Sequence, residues 1–169
     1  MKADLNNDGV INGEDRYFYK DPYADILMGF TLNTTYKNFD INMTSRASIG
    51  NYSFNSSHAA AKSSLITNLG RLSNISGDYL NSGFTGTSGI SDRSDYFIQN
   101  ASFFKIDNIS LGYTIENFMK TNPVRIYVAA DNVLVVTKYD GIDPEITGGI
   151  DSNFYPRSRV FSLGLNFNF

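Results

Sequence analysis

The sequence predicts an all-β fold, and three observations carry that expectation. Five stretches alternate large apolar residues with small or polar ones, short polar breaks separate several of them, and Phe, Tyr and Gly are abundant while long helical patterns are rare. The clearest alternation closes the chain, Arg159-Val160-Phe161-Ser162-Leu163-Gly164-Leu165-Asn166-Phe167-Asn168-Phe169. A strand sends successive side chains to opposite faces, so this stretch has one hydrocarbon face and one face of Ser, Gly and Asn. Taken alone, it fits equally a half-buried strand of a soluble sandwich and a membrane-barrel strand that is oily outward and polar inward.

At the front, Asp4-Leu5-Asn6-Asn7-Asp8-Gly9-Val10-Ile11-Asn12-Gly13-Glu14-Asp15 fits a twelve-position calcium loop. A hard cation must collect six to eight oxygens from one tight turn. Candidate ligands are the side chains of Asp4, Asn6, Asp8, Asn12 and Asp15 and the carbonyl of Val10, with Gly9 at the sharp turn and Ile11 as apolar anchor. Asp15 stands where a bidentate Glu is usual, and a metal-free Asn/Asp/Gly turn is the plainer reading of the same residues. Calcium is the expected cofactor.

After an aromatic connection through Tyr17, Phe18, Tyr19 and Tyr23, the stretch 26–36 sets Ile26, Met28, Phe30 and Leu32 against Gly29, Thr31, Asn33 and Thr35. Following Lys37-Asn38, the pattern restarts with Phe39, Ile41 and Met43 against Asp40, Asn42, Thr44 and Arg46, which predicts a hairpin with a very short turn. Both strands are about ten residues long with persistently polar second faces and aromatics at their ends, as a bilayer band with aromatic girdles requires. This shifts the balance toward the barrel.

Residues 50–100 read as a long loop rich in Asn, Ser, Gly and Thr, with one short helix expected over 56–70 from its Ser cap, Ala-rich body and Gly stop. His58, the only His, reads as a loop residue rather than a ligand. A third strand is expected over 102–115, with Ile109, Leu111, Tyr113 and Ile115 on one face. Carried upstream, that parity puts Lys105 and Asp107 toward lipid, where a midplane charge costs about 2–4 kcal/mol. Either those residues lie above the apolar band or the register slips nearby.

Further strands are expected over 124–136 and 157–169, separated by a second long loop, 138–156. Its carboxylates Asp140, Asp143, Glu145 and Asp151 lack a nucleophile or base at a fixed spacing, so they read as solvated loop charge and no enzyme is expected. The absence of Cys excludes disulfides and thiolate metal sites, and a net charge of -3 without a basic cluster gives no footprint for nucleic acid. No apolar run approaches the roughly 18 residues of a membrane helix. Met1-Lys2-Ala3 enters the acidic loop with no signal-like segment, from which a fragment of a longer exported protein is expected.

Several segments in this order, Asp4-Leu5-Asn6-Asn7-Asp8-Gly9, Tyr36-Lys37-Asn38-Phe39-Asp40, Asn108-Ile109-Ser110-Leu111-Gly112-Tyr113, Arg125-Ile126-Tyr127-Val128, Thr137-Lys138-Tyr139-Asp140-Gly141-Ile142-Asp143-Pro144-Glu145 and Phe161-Ser162-Leu163-Gly164-Leu165-Asn166-Phe167, carry a resemblance. The chain resembles the C-terminal end of the SusC/RagA-type TonB-dependent outer-membrane transporters of Bacteroidetes. The resemblance implies about five strands of a large antiparallel transmembrane barrel of about 22 strands with a plugged lumen. It implies an outer-membrane location, a SusD-like lipoprotein partner, energy from TonB through regions outside this chain, and oligosaccharide or peptide cargo moved by alternating access around the plug. Phe161, Phe167 and Phe169 resemble the terminal aromatic signal read by the barrel-assembly machinery, and they also suit anchoring in outer-membrane lipid. The short turns would face the periplasm, with the loop 4–15 and both long loops outside. The 50–100 loop departs from the family by lacking an aromatic-Pro cluster. The competing expectation is a soluble calcium-binding β module, although no second calcium loop follows at dockerin spacing.

Overall fold

The computed structural model describes residues 4–10, 12–56, 58–59, 94–116, 122–152 and 155–167. Eight strands follow in chain order: β1 (Ile26–Tyr36), β2 (Phe39–Ile49), β3 (Tyr52–Asn55), β4 (Ile98–Asn100), β5 (Phe103–Ile115), β6 (Val124–Thr137), β7 (Ile150–Asp151) and β8 (Val160–Phe167). They divide between two compact units.

The larger sheet runs β1-β2-β5-β6-β8, every neighbouring pair antiparallel. It is open, since β1 and β8 each pair on one side only. The hairpin β1–β2 turns through Lys37-Asn38, with Lys37 at φ 52. Asn38 pins that turn to β5: its side chain donates to the Thr114 carbonyl at 2.9 Å, and its carbonyl accepts from the Thr114 amide at 2.8 Å. The five expected strands are therefore all present, and the two long hairpin strands have the predicted ends.

Pairing brings the apolar positions into continuous rows. Tyr36, Phe39, Tyr113, Ile126 and Leu165 form one, and Thr34, Ile41, Leu111, Val128 and Leu163 the next. Leu32, Met43, Ile109, Ala130 and Phe161 continue the same face. The largest of these side chains are exposed, Phe161 at 80% and Leu163 at 76%, whereas Lys105 retains only 2%. A continuous apolar face of this width thus lies open, whereas Lys105 is enclosed with its ammonium 4.0 Å from an Asp107 carboxylate oxygen.

A register slip resolves the misplaced charges. Thr44 pairs with Asn108 but Ser45 pairs with Ile106, so Asp107 is an extra residue in β5, a bulge. Because the side-chain period is two, one extra residue turns Phe104 and Ile106 onto the apolar face and Lys105 and Asp107 onto the polar one. There the Arg46 guanidinium donates to both Asp107 carboxylate oxygens, at 2.8 and 3.1 Å. Strand β6 absorbs one residue more: Asn108 pairs with Asp131 and Ile106 with Leu134, with Asn132 at φ 53 in between. Two insertions restore the original parity in β6, so Leu134 and Val136 stay apolar-facing.

The second unit holds a three-stranded sheet, β4-β3-β7, with β3 antiparallel to β4 and parallel to β7. Its interior holds Phe97, Ala101 and Ala59 together with Asn55, Ser53, Tyr139 and Asp151. Tyr139 donates its hydroxyl to Asp151 at 2.7 Å. Burial, then that bond, pushes the phenol's pKa well above its usual range. Asn55 donates to the Asp140 carbonyl at 3.0 Å and accepts from the His58 amide at 3.0 Å. Two expectations are corrected here. Residues 50–100 are not loop throughout, since β3 and β4 lie within them, and Asp151 is a buried acceptor rather than solvated charge. His58 sits with Nε2 3.6 Å from an Asp140 carboxylate oxygen. The helix expected over 56–70 falls almost wholly outside the described residues.

Candidate functional site

Loop 4–15 is built by its own side chains. Asp4 accepts from the amides of Asp8 and Gly9, at 3.2 and 2.8 Å, which curls the chain around its carboxylate. Asn6 and Asp8 each accept from the amide two residues on, at 3.1 and 2.7 Å. Gly9 at φ 84 makes the sharp turn where a side chain would be strained. Beyond it, Asn12 caps the 3₁₀ turn Gly13–Asp15, and Asp15 answers by accepting from the Asn12 amide at 2.7 Å. A second bond, from the Leu5 amide at 2.8 Å, brings Asp15 back to the start of the loop. Donation by the Asn12 and then the Leu5 amide holds the Asp15 carboxyl below the usual carboxylate range.

The sequence-predicted residues Asp4, Asn6, Asp8, Asn12 and Asp15 therefore lie in one closed turn, with Val10 exposed at its flank. Ile11 lies outside the described residues. Among the described residues no three His, Cys, Asp or Glu side chains are gathered into a metal cage. The loop's carboxylates are held by amides, and the hard oxygen set suits calcium in type. Downstream, the Tyr17 hydroxyl donates to Asp95 at 2.6 Å, which lowers the Asp95 pKa.

On the polar face of the larger sheet, a tie crosses the strands. The Arg125 guanidinium on β6 meets Asp40 on β2 in a two-pronged pair at 2.8 and 2.5 Å, reaching over β5 between them. It passes at Gly112, where even a methyl group would overlap both side chains. Arg125 also lies 4.7 Å from the Tyr127 ring centroid. That ring covers Gly164 of β8, again a position where a Cβ would collide. Asn42 donates to Asp40 and to Ser110, both at 3.3 Å, and Asn108 to Asp131 at 2.7 Å. Replacing Gly112 by Ala is expected to break the Arg125–Asp40 geometry and cost about 1–3 kcal/mol. The shift of the heat-induced unfolding transition of the receptor carrying this segment measures it.

The TonB-dependent receptor SusC of Bacteroides thetaiotaomicron is 41% identical to this chain over 177 residues, a match that takes in 100% of the chain. The chain belongs to the SusC family of TonB-dependent receptors. The SusC-type segment is also 33% identical over 189 residues to TonB-dependent receptor P3 of Formosa agariphila. It spans 17% of the SusC relative and 18% of P3, so about a sixth of such a receptor. No protein-family model matches it. Its fold is similar to part of a chain of the RagAB peptide importer. In the open-open state the TM-score is 0.66 at 23% identity, covering 89% of this chain and 18% of that one. In the closed-closed state it is 0.67 at 22%, covering 96% and 20%. These proteins are transporters and receptors, not enzymes.

Of the residues expected to mark barrel assembly, Phe161 and Phe167 of the SusC-type segment are exposed on the apolar face, and Phe169 lies outside the described residues. Sequence reasoning missed the Asp40–Arg125 tie. Its only local signal is the pair of glycines, Gly112 and Gly164, on the polar face of otherwise well-filled strands.

Proposed function

We propose that this chain is a wall segment of an outer-membrane importer. The five-stranded sheet contributes to a barrel whose apolar face meets lipid and whose polar face lines the lumen. The observation that carries this reading is the contrast between the two faces: large apolar side chains such as Phe161 and Leu163 lie open on one, while the other holds the ion pairs of Arg46 and Lys105 with Asp107 and of Arg125 with Asp40. The whole receptor is proposed to import oligosaccharides or peptides, with a SusD-like lipoprotein as partner and TonB as energy source. Phe161, Phe167 and Phe169 serve as the signal for the assembly machinery.

Single-cysteine substitutions at positions 161 to 166, spin-labelled in the receptor, test the reading, and the segment brings no thiol of its own to interfere. Labels at 161, 163 and 165 are expected to be relaxed by oxygen dissolved in lipid. Those at 162, 164 and 166 should respond to a water-soluble relaxant. The same accessibility at all six positions would sink the barrel assignment.

The loop 4–15 is proposed to hold one calcium ion through Asp4, Asn6, Asp8, Asn12, Asp15 and the Val10 carbonyl. Calcium titration of the receptor by calorimetry is expected to give one site that Asp4→Ala abolishes. Asp15 has a lowered pKa, so its contribution is complete above the ordinary carboxylate pKa and disappears as pH falls through the lowered value. Affinity should accordingly be flat from neutral pH down to about pH 5 and decline below it. A decline beginning at neutral pH would contradict Asp15 as a ligand.

A further inference from the structure

The apolar face of the larger sheet ends in aromatic rings on the side of the two-residue turn. Tyr36 pairs with Phe39 and Phe39 with Tyr113, all three on that face and all exposed. The Phe39 and Tyr113 rings pack with their centroids 4.7 Å apart. The next row inward, Ile41, Leu111, Val128 and Leu163, is aliphatic. Tyrosines that close a hydrocarbon band suit an interface, since the ring is apolar and its hydroxyl is wet.

Lys37 stands immediately beyond this row. Its φ of 52 is a left-handed conformation that two-residue hairpin turns ordinarily give to Gly, Asn or Asp, so a lysine there carries a conformational cost. Asn38, bonded twice to Thr114, fixes the turn against β5 and so fixes where the lysine side chain begins. The Lys37 ammonium lies 5.5 Å from the Tyr36 ring centroid, which keeps the cation beside a ring of the apolar face. Among the described residues no carboxylate pairs with it. Strand β1 has 11 residues, about 26 Å of height at about 3.4 Å per residue and a tilt of about 40°, which matches the apolar band of a membrane barrel. A strand that fills the band puts its turn among headgroups, on the periplasmic side where barrel turns are short.

We infer that the Lys37 ammonium binds the phosphate of a glycerophospholipid in the periplasmic leaflet, with the rings of Tyr36, Phe39 and Tyr113 against that lipid's acyl chains. This inference rests on the membrane reading proposed above. The site sets the height of the β1–β2 hairpin in the bilayer, because the cation holds the headgroup level while the ring row holds the hydrocarbon boundary. It also gives a reason for a lysine at a position that glycine would occupy without strain.

The intact receptor in neutral detergent, titrated with phosphatidylglycerol, tests it against the variant Lys37→Gly. The wild type is expected to retain the phospholipid through gel filtration and to unfold at a higher temperature when it is bound. Lys37→Gly should be at least as stable as wild type in detergent alone, because glycine adopts the left-handed turn freely, yet retain about fivefold less phospholipid. Equal retention by both proteins overturns the site. A variant less stable than wild type in detergent alone also overturns it, since the lysine then serves the turn itself. Inorganic phosphate stabilising the wild type as much as the lipid does makes Lys37 a free-anion site and overturns it too. Should the wild type fail to insert into phospholipid vesicles, the membrane reading itself fails. Insertion with equal retention removes only the present inference.

Discussion

Leu111→Arg is expected to cost the folded receptor about 2–4 kcal/mol, the penalty for a cation near the centre of a bilayer-facing strand. Leu111 sits in the row Thr34, Ile41, Leu111, Val128, Leu163, with apolar rows on either side, and its side chain is exposed. Arginine there has no carboxylate on its own face to pair with, since the nearby acids Asp40, Asp107 and Asp131 belong to the other face. The companion substitution Leu111→Trp makes the experiment diagnostic. In lipid a larger side chain displaces fluid acyl chain and should be nearly neutral. In the interior of a soluble sandwich the same residue would be overpacked, costing about 1–3 kcal/mol. Denaturant titration of the vesicle-reconstituted receptor reads both. A costly Trp would return the segment to the soluble alternative.

Deleting Asp107 should have a larger effect, the loss of assembled receptor. Without the extra residue the upper half of β5 moves by one position against β2, and every side chain there changes face. Lys105 would turn to lipid, at about 2–4 kcal/mol, while Phe104 and Ile106 would turn inward, each forfeiting about 1.5–3 kcal/mol of apolar burial. Arg46 would lose its carboxylate as well. Together these approach the whole stability of an ordinary domain. Asp107→Asn separates length from charge, because it keeps the bulge while removing the part-exposed ion pair with Arg46 and the carboxylate 4.0 Å from the enclosed Lys105 ammonium. The amount of heat-modifiable receptor in outer membranes should be reduced but measurable for Asp107→Asn and near zero for the deletion. Equal levels would mean that the bulge does not set the faces.

The larger sheet was readable from sequence because its periodicity is strong and its partners are sequential. Positions 26–36 and 39–49 alternate without interruption, and the intervening Lys37-Asn38 leaves no other turn. Lys105 and Asp107 were readable as an anomaly but not as a bulge, since period-two parity cannot say where one residue is added. β3, β4 and β7 were hidden by length: four, three and two residues carry too little periodicity to stand out among Asn and Ser. Asp151 looked like loop charge because its partner, Tyr139, is twelve residues away and becomes relevant only on burial. The calcium-type residues were recognisable because their spacing is local. The Asp40–Arg125 pair, 85 residues apart, depends on β5 lying between its partners with no side chain at Gly112.

That tie also governs how the sheet responds to force. When an edge strand is peeled, the hydrogen bonds of its ladder open one after another, so each step needs little work. Tyr127 lying over Gly164, braced by Arg125 and through it by Asp40, couples β8 mechanically to β6 and on to β2. Peeling that reaches Gly164 must displace the ring and load the ion pair in the same event, turning a sequential unzipping into a concerted rupture. A segment so built resists tension along its edge far better than its ladder alone would allow.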